Sequence, residues 1–516
     1  MGTESWLSDK LVVGAMAGQS LRPDGARPSV RSVQARLHVA MVSSEIAPIA
    51  KTGGLGDVLG ALPRAVEHSG VRVSLVMPAY RSVLSGGFDL VDTGITLVAP
   101  ISGREEEGTL LRARVGEAID VYLIRADRYF DRDGLYGTAE GDYPDNAERF
   151  VFFCRAALEA LKPDPPEILH AHDWQSALTV AFLKAQPYAY PELSSAKTVF
   201  TVHNLGYQGL FWPVDWHLLN LNWGLFTPRY LEFYGKINLL KGGLVFADAI
   251  TTVSPSYAEE IKTSEQGAGL DGVFRERAHR LVGILNGVDY DIWNPETDAL
   301  IARKYGRRNL AAKALCKIDL QRTLSLPETR NTPVIGMVSR LATQKGFYLL
   351  ERAIDRLLSR ELQLVVLGRG EKYFEDMVAR LPERYPGKAG VRVVFDERLA
   401  HQVIAGSDMF LMPSRYEPSG LTQLYGLKYG TVPVVRGTGG LKDSVQDYDP
   451  RTGKGNGIVF SRYEAEDLLE AVDRAVALYQ SRQWATLMQN GMAADFSWEH
   501  SAGEYLNLYH RLVGVS

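Results

Sequence analysis

The chain has 516 residues, 46% of them apolar and 23% charged, with a formal net charge of −4. This is an ordinary globular composition on a chain too long for one hydrophobic core, so two or three domains are expected. The near-neutral balance gives no sign of a nucleic acid or an acidic membrane surface as partner. No apolar run reaches the roughly 18 residues of a membrane span. The only cysteines are Cys154 and Cys316, expected in different domains, which excludes a disulfide framework or a cysteine-based zinc site and fits a reducing compartment.

Residues 1–36 carry no sustained periodicity and read as a flexible lead-in. Residues 11–17 imitate a signal-peptide core, but with mostly small side chains and at minimum length. Glu4, Asp9 and Asp24 argue against a plastid transit peptide, so a cytoplasmic location is expected. From residue 37 onward strand and helix signals alternate, which predicts parallel sheets covered by helices on both faces. The first strand is expected at 37–42. A helix follows from Gly54, with Leu55, Val58, Leu59 and Leu62 at helical spacing. Further strands are expected at 71–76, 121–124, 168–171, 198–202, 249–253 and 281–285.

The loop Lys51-Thr52-Gly53-Gly54-Leu55-Gly56-Asp57 places glycines and a cation before a helix N-terminus, where backbone amides can approach a phosphate. A dinucleotide fold competes for these glycines. It is weakened because they lie well beyond the strand, and because the second strand ends in Met77-Pro78 without the acidic residue that holds a ribose. His170-Ala171-His172-Asp173 and His203-Asn204 follow two other strands. A metal reading of the first lacks matching ligands elsewhere, and buried, hydrogen-bonded histidines are the commoner arrangement. Leu285-Asn286-Gly287 closes the first half.

Residues 291–333 bridge to a second α/β unit. Its first strand, Val334–Val338, delivers Arg340 and Lys345 beside Gly346. Such a pair of cations can bind a departing pyrophosphate, although two loop cations are more often a solvated surface. Strands are expected at 364–367 and 391–395. The apolar run Met409–Met412 then ends at Pro413 and places Glu417 at the strand's carboxyl end. Ser419 is expected to cap a helix carrying Leu421, Leu424 and Leu427. The strand 432–435 runs into a second loop of this kind, Arg436 to Gly440, and helices are expected at 464–479 and Trp498–Val513.

Arg415-Tyr416-Glu417-Pro418-Ser419-Gly420-Leu421-Thr422-Gln423-Leu424-Tyr425, the Lys51–Asp57 loop and Ser339-Arg340-Leu341 through Gln344-Lys345-Gly346 together resemble the bacterial glycogen synthases and plant starch synthases. Two departures are visible: Ser419 stands where many bacterial members have cysteine, and Tyr425 replaces the second glutamate of the wider E-x7-E pattern. The second glutamate's ribose contact therefore does not carry over. The resemblance covers about residues 37–515 and implies a retaining GT-B glycosyltransferase, an α/β protein of two Rossmann-like doubly wound domains facing across a deep cleft. Residues 37–290 would form the acceptor side, with a C-terminal helix at about 497–516 crossing back, and 291–496 the nucleotide-sugar side.

The implied reaction moves glucose from ADP-glucose to the non-reducing 4-hydroxyl of an α-1,4-glucan, glycogen or malto-oligosaccharide, without a metal. The resemblance implies catalytic roles for His203, Arg340, Lys345, Glu417 and Asp173. It implies donor or phosphate contacts for Lys51, Gly53, Gly54, Asn286, Thr422, Thr438, Gly439 and Gly440, and a base contact for Phe395. Preference for ADP over UDP rests on the resemblance alone. The competing readings are a GT-B transferase using UDP-glucose or a small acceptor, a nicotinamide-dependent oxidoreductase, and a non-catalytic glucan-binding protein.

Overall fold

The computed structural model describes residues 36–514, apart from 117 and 139. The expected lead-in at 1–36 lies, except for Arg36, outside the described residues.

The first half builds a nine-stranded sheet from β1 (His38–Val42), β2 (Arg72–Pro78), β3 (Val91–Ile101), β4 (Arg104–Val115), β5 (Ile119–Arg125), β6 (Ile168–His172), β7 (Lys197–Val202), β8 (Ala249–Thr252) and β9 (Leu281–Gly283). Its helices include α1 (Gly54–His68), α2 (Asn146–Leu161), α3 (Asp173–Ala185), α4 (Leu239–Phe246), α5 (Pro255–Glu260) and α6 (Asp271–Glu276). The strand order is β9-β8-β7-β6-β1-β2-β5-β4-β3. Pairing is parallel except where β4 runs against β5 and β3 against β4. Strands β1 and β6 are buried along their whole length, as strands covered by helices on both faces are. The β3–β4 hairpin escaped the sequence reading for the opposite reason. It forms a half-exposed edge where Val91, Ile95 and Val98 face solvent and the partner strand carries Glu105, Glu106 and Glu107.

The second half forms a six-stranded, wholly parallel sheet in the order β12-β11-β10-β13-β14-β15. Its elements include β10 (Val334–Val338), α7 (Phe347–Leu358), β11 (Gln363–Leu367), β12 (Ala389–Arg392), α8 (Glu397–Gly406), β13 (Met409–Met412), α9 (Thr422–Lys428), β14 (Val432–Arg436), α10 (Gly439–Ser444), β15 (Ile458–Phe460), α11 (Ala465–Tyr479) and α12 (Trp498–Val513). In each sheet the order reverses beside the first strand, β1 or β10. Ligands of open α/β sheets bind outside the carboxyl ends of strands at such a point. The last helix, α12, leaves this second unit and packs on α1, burying Trp498, Tyr505 and Tyr509 in the first core. Gly287 admits that crossing, because a Cβ there would lie 2.7 Å from the Trp498 Cα.

Two local expectations need correction. Strand β12 ends at Arg392, so Phe395 stands in the connection to α8 and is 74% exposed. Helix α9 starts at Thr422 with Leu421 before it and no side-chain cap. Gly420 takes a left-handed φ of 68°, which breaks the helical path between Ser419 and the helix, so Ser419 is no cap. Cys154 and Cys316 are both free and buried. Among the described residues no helix is long and apolar enough to cross a membrane.

Candidate active site

The carboxyl ends of β10 and β13 bring Lys345 and Glu417 together. Lys345 Nζ lies 2.7 Å from Glu417 Oε2, with the two side chains 17% and 5% exposed. Ser414 Oγ donates to the same oxygen at 3.0 Å. The charges are therefore largely withdrawn from water, where a compensated pair is tolerated and a single charge is not. Two glycines make this packing sterically feasible. Gly346 has a φ of 82° and Gly439 a φ of 46°. A Cβ on Gly346 would collide with the Pro413 carbonyl oxygen, and one on Gly439 with the Glu417 carbonyl oxygen. Gly346→Ala is therefore expected to cost more than about 1 kcal/mol, since alanine pays for a positive φ and must also displace Pro413. Gly503→Ala, in open space on α12, is the matched control and should hold or raise the thermal midpoint. Equal midpoints for the two variants would refute the steric argument.

On the opposing wall, the loop after β1 is held from behind by Glu45, a residue the sequence reading did not single out. Its carboxylate accepts the Thr52 amide and hydroxyl, both at 2.6 Å, the Gly53 amide at 3.3 Å and the Tyr136 hydroxyl at 2.7 Å. Gly53 thus spends its amide on the protein, whereas Gly54 opens α1 with an amide that no intrahelical bond uses. Lys51 Nζ sits 2.6 Å from Asp57. A Cβ on Gly54 would meet Leu421 Cδ1 at 3.7 Å, so this loop faces the segment between Glu417 and α9.

Strand β6 contributes His170 and His172, whose two-residue spacing puts both rings on one face of the strand. The ring centroids are 4.0 Å apart. His170 bonds the Tyr509 hydroxyl at 2.8 Å and the Thr201 hydroxyl at 2.6 Å. His172 Nδ1 lies 3.0 Å from His203 Nε2, while His172 Nε2 is buried without a protein partner among the described residues. His203 is thus in the site, but as the outer member of a histidine chain. The inner member, His172, was legible only as part of a rejected metal motif. Burial holds His170 and His203 down to about 3, and His172 well below its ordinary value with help from the other two rings. All three rings are neutral at pH 7.

Asp173 follows with a left-handed φ of 58°, a strained conformation for a non-glycine residue. Its Oδ1 accepts the His203 amide at 2.7 Å. Burial pushes its carboxyl up to about 7, against the pull of the His203 and Asn204 amides. In this arrangement Asp173 braces the His203 turn.

The pH dependence of stability follows. Below the unfolded histidine value of 6.5 the unfolded chain takes up protons on His170, His172 and His203, whereas the folded chain keeps His170 and His203 neutral down to about 3 and holds His172 well below its ordinary value. Asp173 works the other way between its unfolded 3.8 and its folded value of about 7. Three sites against one leave a net uptake of two protons on unfolding, so these groups lower stability by roughly 3 kcal/mol per pH unit between about pH 6 and pH 4. Urea midpoints at pH 7 and pH 5 check this. Asp173→Asn should steepen the loss, and a pH-independent midpoint would sink it.

The two sets of loops touch. Arg340 Nη1 donates to the Tyr207 hydroxyl at 2.6 Å, Asn204 Nδ2 lies 3.3 Å from Gln344 Oε1, and Ser254 Oγ donates to the Pro418 carbonyl at 2.6 Å. Asp443 accepts the Ser256 amide and hydroxyl at 2.8 and 2.6 Å. The Thr438–Gly440 loop was expected on phosphate and is found otherwise engaged. Glu260, at the end of α5, takes the Gly439 amide at 2.8 Å and the Thr438 hydroxyl at 3.1 Å. Gly440 gives its amide to the Glu417 carbonyl at 3.0 Å. A carboxylate from the first domain thus occupies the loop's donors here, and the Gly440 amide braces the Glu417 carbonyl. Thr422 turns its hydroxyl toward Met412 Sδ at 3.5 Å. Asn286 is buried with Oδ1 unpartnered among the described residues. No group of three or more His, Cys, Asp or Glu among those residues could hold a metal ion.

This arrangement has relatives. Residues 38–276 match the family described as the starch synthase catalytic domain, and residues 324–486 match glycosyl transferases group 1. The glycogen synthase of Koribacter versatilis is 49% identical over 481 residues, covering 93% of this chain and 99% of that relative. The glycogen synthase of Syntrophotalea carbinolica is 46% identical over 480 residues, 92% of this chain and 99% of the relative. The chain belongs to the glycogen synthase family. Among solved structures, the catalytic domain of starch synthase IV from Arabidopsis thaliana, bound to ADP and acarbose, matches with a TM-score of 0.86 at 33% identity, covering 93% of this chain and all of that one. Sucrose-phosphate synthase from Thermosynechococcus elongatus, at 18% identity and a TM-score of 0.60 over 93% of this chain and 100% of its own, shares the fold. This member of the glycogen synthase family is accordingly a glycosyltransferase with two α/β domains in the GT-B arrangement.

Proposed function

We propose that the protein transfers glucose from ADP-glucose to the non-reducing 4-hydroxyl of an α-1,4-glucan with retention of configuration. The observation that carries this reading is the largely buried Lys345–Glu417 pair at the switch point of the second sheet. It sets a cation for a diphosphate beside a carboxylate for sugar hydroxyls. Arg340 supplies a second cation, held by Tyr207 on the facing wall, and the pair neutralises the charge that develops on the leaving diphosphate. Lys51 and the Gly54 amide approach the same charge from the first domain. Glu417, Asn286 and the neutral His203–His172 pair orient the donor sugar. Neutral rings suit that task, because they hydrogen-bond hydroxyls without drawing a second anion.

The acceptor hydroxyl attacks on the face the diphosphate leaves. Its O–H breaks as the new C1–O bond forms and the C1–O bond to phosphate breaks, and the departing phosphate oxygen takes the proton. The two cations do the electrostatic work that a divalent metal does in other phosphate transfers. Contacts between the walls, from Arg340–Tyr207 to Asp443–Ser256, keep water from the donor. The exposed Phe395 is assigned to the base, and a location in the cytoplasm fits a nucleotide-sugar substrate.

Incorporation of label into glycogen from ADP-glucose and, separately, UDP-glucose, each with EDTA, tests the reading. Label from ADP-glucose alone is expected. Label from UDP-glucose alone would reassign the donor, dependence on added metal would overturn the role given to the cations, and failure with both would leave glucan binding without transfer.

A further inference from the structure

The turn that carries Glu417 lies between β13 and α9, and one connection of the second domain holds its backbone from behind. Ahead of Glu417, Arg436 Nη1 donates to the Arg415 carbonyl at 2.6 Å and to the Ser414 carbonyl at 3.3 Å. Behind it, the Gly440 amide donates to the Glu417 carbonyl at 3.0 Å and lies 3.2 Å from that of Pro418. Arg436 ends β14 and Gly439 opens α10, so residues 436–440 grip the turn on both sides of Glu417. The fit is close, since a Cβ on Gly440 would collide with the Ser419 carbonyl oxygen.

That connection is fixed in turn by the first domain. Glu260 Oε1 accepts the Gly439 amide at 2.8 Å, and Oε2 accepts the Thr438 hydroxyl at 3.1 Å. The Gly439 amide is the first of α10, where no intrahelical acceptor exists, so Glu260 supplies it. Burial lowers the pKa of the Arg436 guanidinium, and the nearby charge of Glu260 offsets part of that. Two neighbours of Glu260 hold the same region: the buried Ser254 donates to the Pro418 carbonyl at 2.6 Å, and Ser256 bonds Asp443 of α10. Ser254, Ser256 and Glu260 all follow β8, on or just before α5. A short segment of one domain therefore sets the backbone of a functional carboxylate in the other.

We propose that Glu260 is a positioning residue for Glu417: its carboxylate fixes the Thr438–Gly440 loop, and the loop fixes the Glu417 backbone. Glu260 itself touches neither substrate nor reacting atoms, and its role rests on the function given to Glu417 above. The brace exists only while the two walls are together, so it ties the seat of Glu417 to their contact. A rival account, in which the loop's donors serve the diphosphate and Glu260 merely occupies them, predicts the opposite sign for donor binding. Removing Glu260 would then free an anion site and tighten ADP.

Hydrogen–deuterium exchange, ADP calorimetry and steady-state rates on variants of the full chain test this. In Glu260→Ala the amides of residues 439–440 should exchange at least about tenfold faster, a readout that needs no turnover. Its kcat should fall about 10–100-fold, the usual range for outer-shell supports, while ADP affinity stays within about twofold. Glu260→Gln keeps an acceptor oxygen and should hold kcat within about threefold of the parent, whereas Glu260→Asp, with charge but shorter reach, should not. Thr438→Val removes one donor of the brace and should lower kcat in the same direction, which guards against a misfolded Glu260 variant. On a Glu417→Ala background, Glu260→Ala should cost no more than about twofold further, because it acts through Glu417. Unchanged amide exchange in Glu260→Ala, tighter ADP binding, rescue by Asp but not by Gln, or an undiminished loss on the Glu417→Ala background would each overturn the proposal. No transfer by the parent chain would instead sink the function proposed above, and the exchange measurement would still decide whether the brace exists.

Discussion

Glu417→Ala is expected to lower kcat by about 10²–10³-fold while the protein stays folded, the loss seen when one preorganised polar contact to a transition state is removed. The side chain is 5% exposed. Oε2 is committed to Lys345 and Ser414, whereas Oε1 has no partner among the described residues, which leaves that oxygen for a sugar hydroxyl. Removing the carboxylate leaves the Lys345 charge uncompensated in a largely dry place. Lys345 is 17% exposed and can partly turn to water, so the stability cost should stay below the 3–5 kcal/mol, roughly, of a fully buried orphan. Glu417→Gln separates shape from charge. It keeps an acceptor at the same place, so KM for the donor should change less than kcat does. Steady-state rates with ADP-glucose and thermal midpoints for both variants make the comparison. Turnover near that of the parent in Glu417→Ala would remove the residue from the mechanism.

What the sequence made legible follows burial. Strands β1, β6, β11 and β13 are sealed on both faces, so they stand out; β6 itself carries His170 and His172, and the loops after β1 and β13 carry Lys51 and Glu417. Strand β10 was placed residue for residue, because Val334–Val338 is a compact apolar run that stops at a polar turn. The β3–β4 hairpin was not seen, since a wet edge gives no such run. Hydrogen bonds to the backbone were equally invisible. Nothing in the spacing of Glu45, Glu260 or Asp443 reveals that each holds the amide of a distant loop. For the same reason Thr438, Gly439 and Gly440 read as a phosphate loop: their residue types are right for an anion, but the anion they hold is a side chain of the other domain. Asp173 was assigned by its place in a motif, whereas its φ of 58° and its bond to the His203 amide could not be read there. Burial and periodicity are properties of a segment, whereas these contacts are properties of the assembled chain.

Lys345→Ala should cost as much as Glu417→Ala, about 10²–10³-fold in kcat, for a different reason. It removes a cation from the leaving diphosphate and at the same time frees Glu417 Oε2 from its only cationic partner among the described residues. An unpaired carboxylate in that position repels the donor it should hold, so the donor KM should rise as well. The double variant discriminates between two accounts. If Lys345 and Glu417 acted separately, one on phosphate and the other on sugar, their effects would multiply to about 10⁵-fold. If the 2.7 Å pair is one functional unit, losing either member already disables it, and the double variant should fall no more than about tenfold below the worse single variant. The geometry favours the second outcome, since without the ammonium Oε2 keeps only the neutral Ser414 hydroxyl. Arg340 provides the contrast. Its partner is a neutral tyrosine on the other domain, so Arg340→Ala leaves no orphaned charge, and its combination with Glu417→Ala should come close to the product of the single effects. A multiplicative result for Lys345 with Glu417, or a saturating one for Arg340 with Glu417, would reverse the roles assigned to the two cations.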